Sequence, residues 1–160
     1  MLSILLSRKS SSSDSFDSKL YDESTFYPAF TKDINKCQSE LIIESPFITC
    51  KRLHYLLPTL QKLKNRRVRI VINTKDPCEL DNERSRKDAY DAISILQTVG
   101  IQVLYTAGHH RKLAIIDRKI LYEGSLNILS QCSSCEVMRR VQSSQASWQM
   151  IRFIKIDRYF

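Results

Sequence analysis

Glycine and proline are scarce in this chain of 160 residues, at three and four copies, and there is one tryptophan. So few backbone breakers exclude a collagen-like or Pro/Gly-rich low-complexity chain and leave most of the sequence available for regular elements. No apolar run reaches the roughly 18 residues that a membrane helix needs, so no stable membrane insertion is expected. The apolar opening at residues 1–6 is short, and Arg8 and Lys9 follow it, the reverse of a secretory leader. A cytoplasmic location is the expectation. No second CxxC and no HxxxH accompany Cys132-Ser133-Ser134-Cys135, so zinc lacks partner ligands. The five cysteines, an odd number, read as reduced thiols. No metal and no cofactor are expected, and no internal repeat is visible.

What the chain does have is positive charge. Lys and Arg number 25 against 17 Asp and Glu, a formal net charge of +8 and a pI near 9.4. Such a surface suits a polyanion, nucleic acid or acidic lipid headgroups, although many basic chains simply carry solvated cations. A hydrophobic fraction of 42% and a charged fraction of 26% are those of an ordinary globular protein with one real core.

Residues 8–18 are Ser-rich and polar and read as a lead-in, so residues 1–20 are expected to be flexible and 21–160 to form one catalytic domain. A helix is expected over 26–39, with Pro28 tolerable in its first turn. Residues 41–48 read as an apolar strand that Pro46 ends. Leu53, Leu56, Leu57, Leu60 and Leu63 recur at helical spacing. The β-branched run at 68–73 reads as a buried strand. A charged loop over 76–87 leads to a helix over 87–99 closed by Gly100, then a strand at 101–105. Residues 110–122 predict a β-hairpin turning at Asp117-Arg118-Lys119, and a last strand at 136–141 precedes a closing helix over 143–157. Strands alternating with helices predict an α/β layered sandwich, a central mixed β-sheet flanked by helices.

The chemistry is concentrated between residues 110 and 127. On a strand, positions i and i+2 point the same way, which puts His110 and Lys112 on one face about 7 Å apart. An imidazole can attack or protonate, and an ammonium can hold a phosphate oxygen. The hairpin returns Gly124-Ser125-Leu126-Asn127 beside them, where Gly124 permits close approach and Ser125 and Asn127 donate hydrogen bonds. Two of the three glycines, Gly108 and Gly124, bracket this hairpin.

The spacing H-x-K-x(4)-D-x(6)-G-S-x-N, complete here, resembles the signature of the phospholipase D superfamily. Six fixed residues at fixed spacing arise by chance in on the order of one in a million chains of this size. The strand at 41–48 is similar to the Ser-Pro-aromatic strand upstream of the motif in that family, and the element order from about residue 26 is that of one phospholipase D-like repeat. The resemblance implies His110 as a nucleophile forming a phosphohistidine, with Lys112, Ser125 and Asn127 binding phosphate. It implies that Asp117 supports the loop and that Glu136 orients the histidine, although Ser134 stands where relatives often carry Asn. Bland roles remain for the rest. His109 reads as a neighbour, His54 as structural, and Trp148 as core. Arg111, Arg118, Lys119, Arg139 and Arg140 divide evenly between a phosphate-tracking groove and a solvated rim.

Two motif copies share the proton work in this family, one histidine attacking and the other releasing the alcohol. This chain has one copy, and a two-fold homodimer supplies the second imidazole. A bell-shaped pH profile follows from two histidines starting in opposite protonation states. The expected function is a metal-independent phosphodiesterase, an endonuclease on DNA or RNA. The alternatives are a phospholipid hydrolase or transferase and an inactive nucleic-acid-binding module.

Overall fold

A computed structural model describes residues 17–159 of the chain. Its strands are β1 (Asp17–Asp22), β2 (Glu40–Glu44), β3 (Arg69–Thr74), β4 (Gln102–Tyr105), β5 (Leu113–Ile116), β6 (Ile120–Gly124) and β7 (Val137–Gln142). Its helices are α1 (Phe26–Asn35), α2 (Cys50–Asn65), α3 (Glu83–Thr98) and α4 (Ser144–Ile154). The strands form one mixed sheet in the order β1-β7-β6-β5-β2-β3-β4. β2, β3 and β4 run parallel, and the pairs β2–β5, β5–β6, β6–β7 and β1–β7 are antiparallel. The layered α/β sandwich expected from the sequence is the fold observed.

Alternation within the central strands builds both layers. Leu41, Ile43, Ile70, Ile72, Ala114 and Ile116 face α1, α2 and α3, in one buried cluster with Phe26, Phe30, Leu53, Leu60, Ile93 and Leu96. Ile42, Val71, Leu113, Ile115 and Leu121 face the other way, onto Ile151 and Ile154 of α4 and Ile156 beyond it. Because both faces are covered, β2 and β3 read as continuous apolar runs and not as alternating ones. The leucine stripe of α2 is buried as its spacing predicts, while Pro58 lies inside the helix on its exposed side.

Two elements and two side chains depart from the sequence reading. The lead-in expected over residues 1–20 lies outside the described residues up to 16, but Asp17–Asp22 is a strand, paired along its length with β7. It has no apolar alternation because it is an edge strand, held chiefly by backbone bonds to β7, with Tyr21 alone packed on the core. The helix expected from Lys87 begins at Glu83, inside the charged loop, since the Asn82 side chain accepts from Ser85 N at 2.7 Å and caps it. Gly100, at φ +78°, ends it as expected. Trp148, read as core, is 40% exposed, with the Arg118 guanidinium 4.5 Å from its ring centre. His54 likewise lies on the exposed side of α2.

Candidate active site

Parallel strands β2, β3 and β4 all end at one edge of the sheet, and the segment carrying His110 crosses that edge on its way into β5. Open α/β sheets place their ligands at such carboxyl ends. The β2–β5 ladder runs only as far as Glu44 opposite Leu113, so β5 starts one residue after Lys112. His110 and Lys112 therefore sit on an approach segment and not on the strand, because β2 offers nothing beyond Glu44 to pair with them, and only Gly124 on the β6 side bonds to Lys112. They meet nonetheless: Lys112 Nζ lies 3.1 Å from His110 Nδ1 and donates to the His110 carbonyl at 2.9 Å. Burial pushes the Lys112 ammonium below its ordinary pKa, and the Glu136 carboxylate opposes this.

The other motif residues arrive from β6 and the loop after it. Gly124 N donates to the Lys112 carbonyl, and Ser125 N to the Val137 carbonyl. Ser125 Oγ accepts from Val137 N at 3.1 Å. Hydrogen bonds from the Ser125 and Ser134 hydroxyls hold the Glu136 carboxyl below the ordinary range, with burial opposing and Lys112 assisting. Ser134 Oγ donates to Glu136 at 2.8 Å. Among the described residues, no hydrogen bond joins Glu136 to His110. Asn127 caps the following turn, its carbonyl accepting from Ser130 N and Gln131 N, while its Oδ1 is buried with no described partner.

That loop is fastened to the strand read as Ser-Pro-aromatic. Ser45 Oγ accepts from Leu129 N at 3.1 Å, Thr49 N donates to the Leu129 carbonyl, and Tyr27 donates to the Ile128 carbonyl at 2.8 Å. Arg52 donates twice to the Gln131 carbonyl. A Cβ on Gly124 would stand 2.2 Å from the Val137 carbonyl oxygen and 2.9 Å from Met138 Cα, both backbone. Gly124→Ala must therefore pry β6 from β7 where Ser125 enters the site, an overpacking cost of about 2–3 kcal/mol. A thermal melt of the variant should show it, with at least a tenfold activity loss (about 1.4 kcal/mol) from the displaced Ser125.

Asp117 is not brought into this group; all of β5 separates it from His110. It occupies the hairpin turn, where it and Arg118 adopt φ of 50° and 55°. Its carboxylate accepts from the backbone N–H groups of Gln38, Ser39 and Glu40 at 2.8–3.0 Å and from Ser39 Oγ at 2.9 Å. Burial would raise its pKa, but these donors outweigh burial and lower it to about 2. The depressed pKa stabilises the fold at neutral pH, and the contribution fades as pH falls from about 4 to about 2. Asp117→Asn should cost about 1–2 kcal/mol at pH 7 after screening at this half-buried position. Urea melts across pH 7 to 2 should show the two proteins converging in acid; a constant gap would refute the assignment.

Of the five cations left open by the sequence, three form ion pairs: Arg111 with Glu44, Arg118 with Glu40, and Arg140 with Asp33. His109 is 3% exposed, and neither ring nitrogen has a described partner. Burial lowers its pKa and the Glu44 charge opposes that. Glu44 itself, fully buried beside the site, was missed from sequence. A carboxylate closing an otherwise apolar strand was the available signal, because such a group needs a partner.

A histidine and a lysine are thus in contact beside a Ser–Glu pair at the carboxyl edge of a mixed sheet, and the fold around them is that of the phospholipase D superfamily. The chain belongs to that superfamily: residues 30–155 match the family model described as cardiolipin synthase, PLD-like domain. Its fold is similar to that of Nuc from Salmonella typhimurium, a phospholipase D family member, at 14% identity and a TM-score of 0.71, covering 90% of this chain and 94% of that one. NucT from Helicobacter pylori is similar at 16% identity and a TM-score of 0.69, with 88% and 94% covered. A quarter of the polyphosphate kinase from Porphyromonas gingivalis also superimposes, with 11% identity, a TM-score of 0.68 and 87% of this chain covered. No curated protein matches the sequence. Among the described residues, no helix is long and apolar enough to cross a membrane.

Proposed function

We propose that this protein is a metal-independent phosphodiesterase, an endonuclease on DNA or RNA, acting in the cytoplasm through a phosphohistidine formed in a homodimeric active site. The observation that carries the reading is the contact of Lys112 with His110, with Glu136 and Ser125 beside them. The Lys112 ammonium lies against His110 Nδ1, an arrangement that suits the tautomer with the ring proton on Nε2. An entering phosphate draws Lys112 to its oxygen and frees Nδ1. The ring proton then moves to Nδ1, Glu136 beside Lys112 turns to accept it in a hydrogen bond, and Nε2 becomes the nucleophile.

The Nε2 lone pair forms the bond to phosphorus as the bond to the leaving oxygen breaks, and the partner subunit's His110 delivers the proton to that oxygen. Water then gives its proton to the same partner imidazole, attacks phosphorus and releases His110. Lys112, Ser125 and Asn127 hold the charged oxygens throughout. The net charge of +8 suits a polyanionic substrate.

Exposed apolar side chains beside the site support the dimer. An open concavity of about 640 Å³ is lined by Lys112 and the apolar Leu20, Val137, Met150 and Phe153, with Arg111, Glu123 and Arg139 also on it. Phe153 is 77% exposed, Leu20 61% and Val137 49%. A second copy is the occupant we assign, because one chain carries only one of the two imidazoles that the reaction needs.

A phospholipid substrate is the second reading, favoured by those same apolar groups next to Lys112 and by the lipid enzyme in the family description. One panel separates them: plasmid, single-stranded DNA, RNA and phosphatidyl vesicles, each in EDTA, each with a His110→Ala control. Nucleic-acid cleavage that survives EDTA but not the substitution is the expected result. Loss of cleavage on chelation overturns the mechanism, and cleavage of lipid alone transfers the site to the second reading.

A further inference from the structure

The segment that presents His110 has little sheet to hold it. Between the Thr106 N bond to the Thr74 carbonyl and the first β5 rung at Leu113, its backbone bonds are a turn from His109 N to the Thr106 carbonyl and the bond from Gly124 N to Lys112. Side chains supply the missing anchorage. Arg111, between the two motif residues, points away from them and sets its fork on the Glu44 carboxylate, Nε to Oε2 and NH2 to Oε1, the latter at 3.1 Å. Glu44 ends β2 and is fully buried, and its Oε1 also accepts from Asn73 Nδ2 at 2.9 Å. Asn73 Oδ1 in turn accepts from Thr106 Oγ1 at 3.0 Å. The chain of bonds thus runs from Arg111 through the ends of β2 and β3 and returns to the start of the same segment.

We propose that Glu44 and Arg111 are positioning residues that fix His110 and Lys112 in their reactive geometry, an inference that rests on His110 being the reacting group. Two physical arguments carry it. A planar fork on a buried carboxylate fixes both position and direction, which a single ammonium contact does not. Burying a carboxylate at the edge of an apolar sheet is costly unless it is fully bonded, and replacing such a pair by apolar groups often stabilises a protein. A pair of a kind that stability often does not require, bonded to the catalytic segment at one end and to Asn73 of β3 at the other, matches a role in geometry. His109 acts with it: its buried ring on one side of His110 and the Arg111 fork on the other leave the exposed imidazole between two fixed neighbours.

Three variants of the full chain test the proposal: Glu44→Gln, Arg111→Lys, and the apolar double change Glu44→Leu with Arg111→Met. Arg111→Lys keeps the charge and loses the fork. It should lower kcat by about 10- to 100-fold, the order expected when a reacting group shifts by about an ångström, with KM within about threefold and the melting temperature little changed. Glu44→Gln should lower kcat at least as much. The double variant should recover wild-type melting temperature while kcat stays low. Amide hydrogen exchange at His109 and Gly124, whose N–H groups bond to the Thr106 and Lys112 carbonyls and so report on the hold of residues 110–112, should accelerate about tenfold or more in all three. Recovery of kcat together with melting temperature in the double variant would assign the pair to stability alone and overturn the proposal. So would wild-type kcat and exchange in Arg111→Lys. Exchange needs no substrate, so a wild-type chain that cuts nothing defeats the nuclease reading, while the anchoring of residues 110–112 still stands or falls on the exchange rates.

Discussion

His110→Ala is expected to lower the single-turnover rate of phosphodiester cleavage by at least about four orders of magnitude, the range seen when a covalent nucleophile is removed and only binding and charge stabilisation remain. The protein should otherwise be unaltered. His110 is exposed, and exposed substitutions away from caps and networks stay within about 0.5 kcal/mol, so an unchanged melting curve rules out unfolding as the cause. Lys112→Ala retains the nucleophile and loses one phosphate contact, so its loss should be smaller, on the order of 10²–10³-fold. Rapid quenching with labelled substrate reads the same event directly. Wild type should carry acid-labile, alkali-stable phosphate on one histidine per reacting site, and His110→Ala should carry none. Residual turnover within tenfold of wild type would remove His110 from the chemistry.

Where apolar pattern and local motif decide the outcome, the sequence was readable. β2 and β3 announce themselves as β-branched runs because both faces are buried, and α2 as a leucine stripe because one is. The hairpin's short-range geometry was equally plain, since its fixed length returns Gly124 to Lys112, where the two bond. What escaped was whatever depends on partners distant in sequence. β1 is polar and Ser-containing and exists as a strand only because β7, about 120 residues later, offers its edge. Glu44 and Arg111 are 67 residues apart, and nothing near either announces the other. Trp148 lies at core spacing on α4, but Arg118 from the hairpin turn meets it at the surface instead. Even the assumption that His110 and Lys112 ride a strand failed for a long-range reason, because β2 stops at Glu44 and leaves that stretch without a ladder. These are tertiary facts, and local propensity does not encode them.

The two-chain site makes a quantitative demand. If each reaction uses one histidine from each subunit, a dimer of wild-type and His110→Ala chains has a nucleophile without an acid, or the reverse, and is inactive. Mixed at equal amounts and allowed to exchange, about a quarter of dimers are wild type on both sides, so activity per wild-type chain should fall to about half. At a ninefold excess of the variant it should fall to about a tenth. A monomeric enzyme, or a dimer whose sites are complete within each chain, keeps constant activity per wild-type chain at every ratio, which would dismiss the shared site outright. The contact face gives a second handle. Phe153→Glu places a charge where the exposed ring lines the concavity beside Lys112. Phe153 contributes nothing to the buried core on either side of the sheet, so the isolated fold should tolerate the change. The change removes the ring's apolar area from the contact and desolvates a charge there, on both sides of the two-fold axis, even with Arg111 and Arg139 on the same concavity. Sedimentation should therefore show a folded monomer, with kcat reduced by at least about a hundredfold because the second imidazole is gone. A monomeric Phe153→Glu protein with full activity would show that one histidine suffices, and the mechanism would have to find its acid within a single chain.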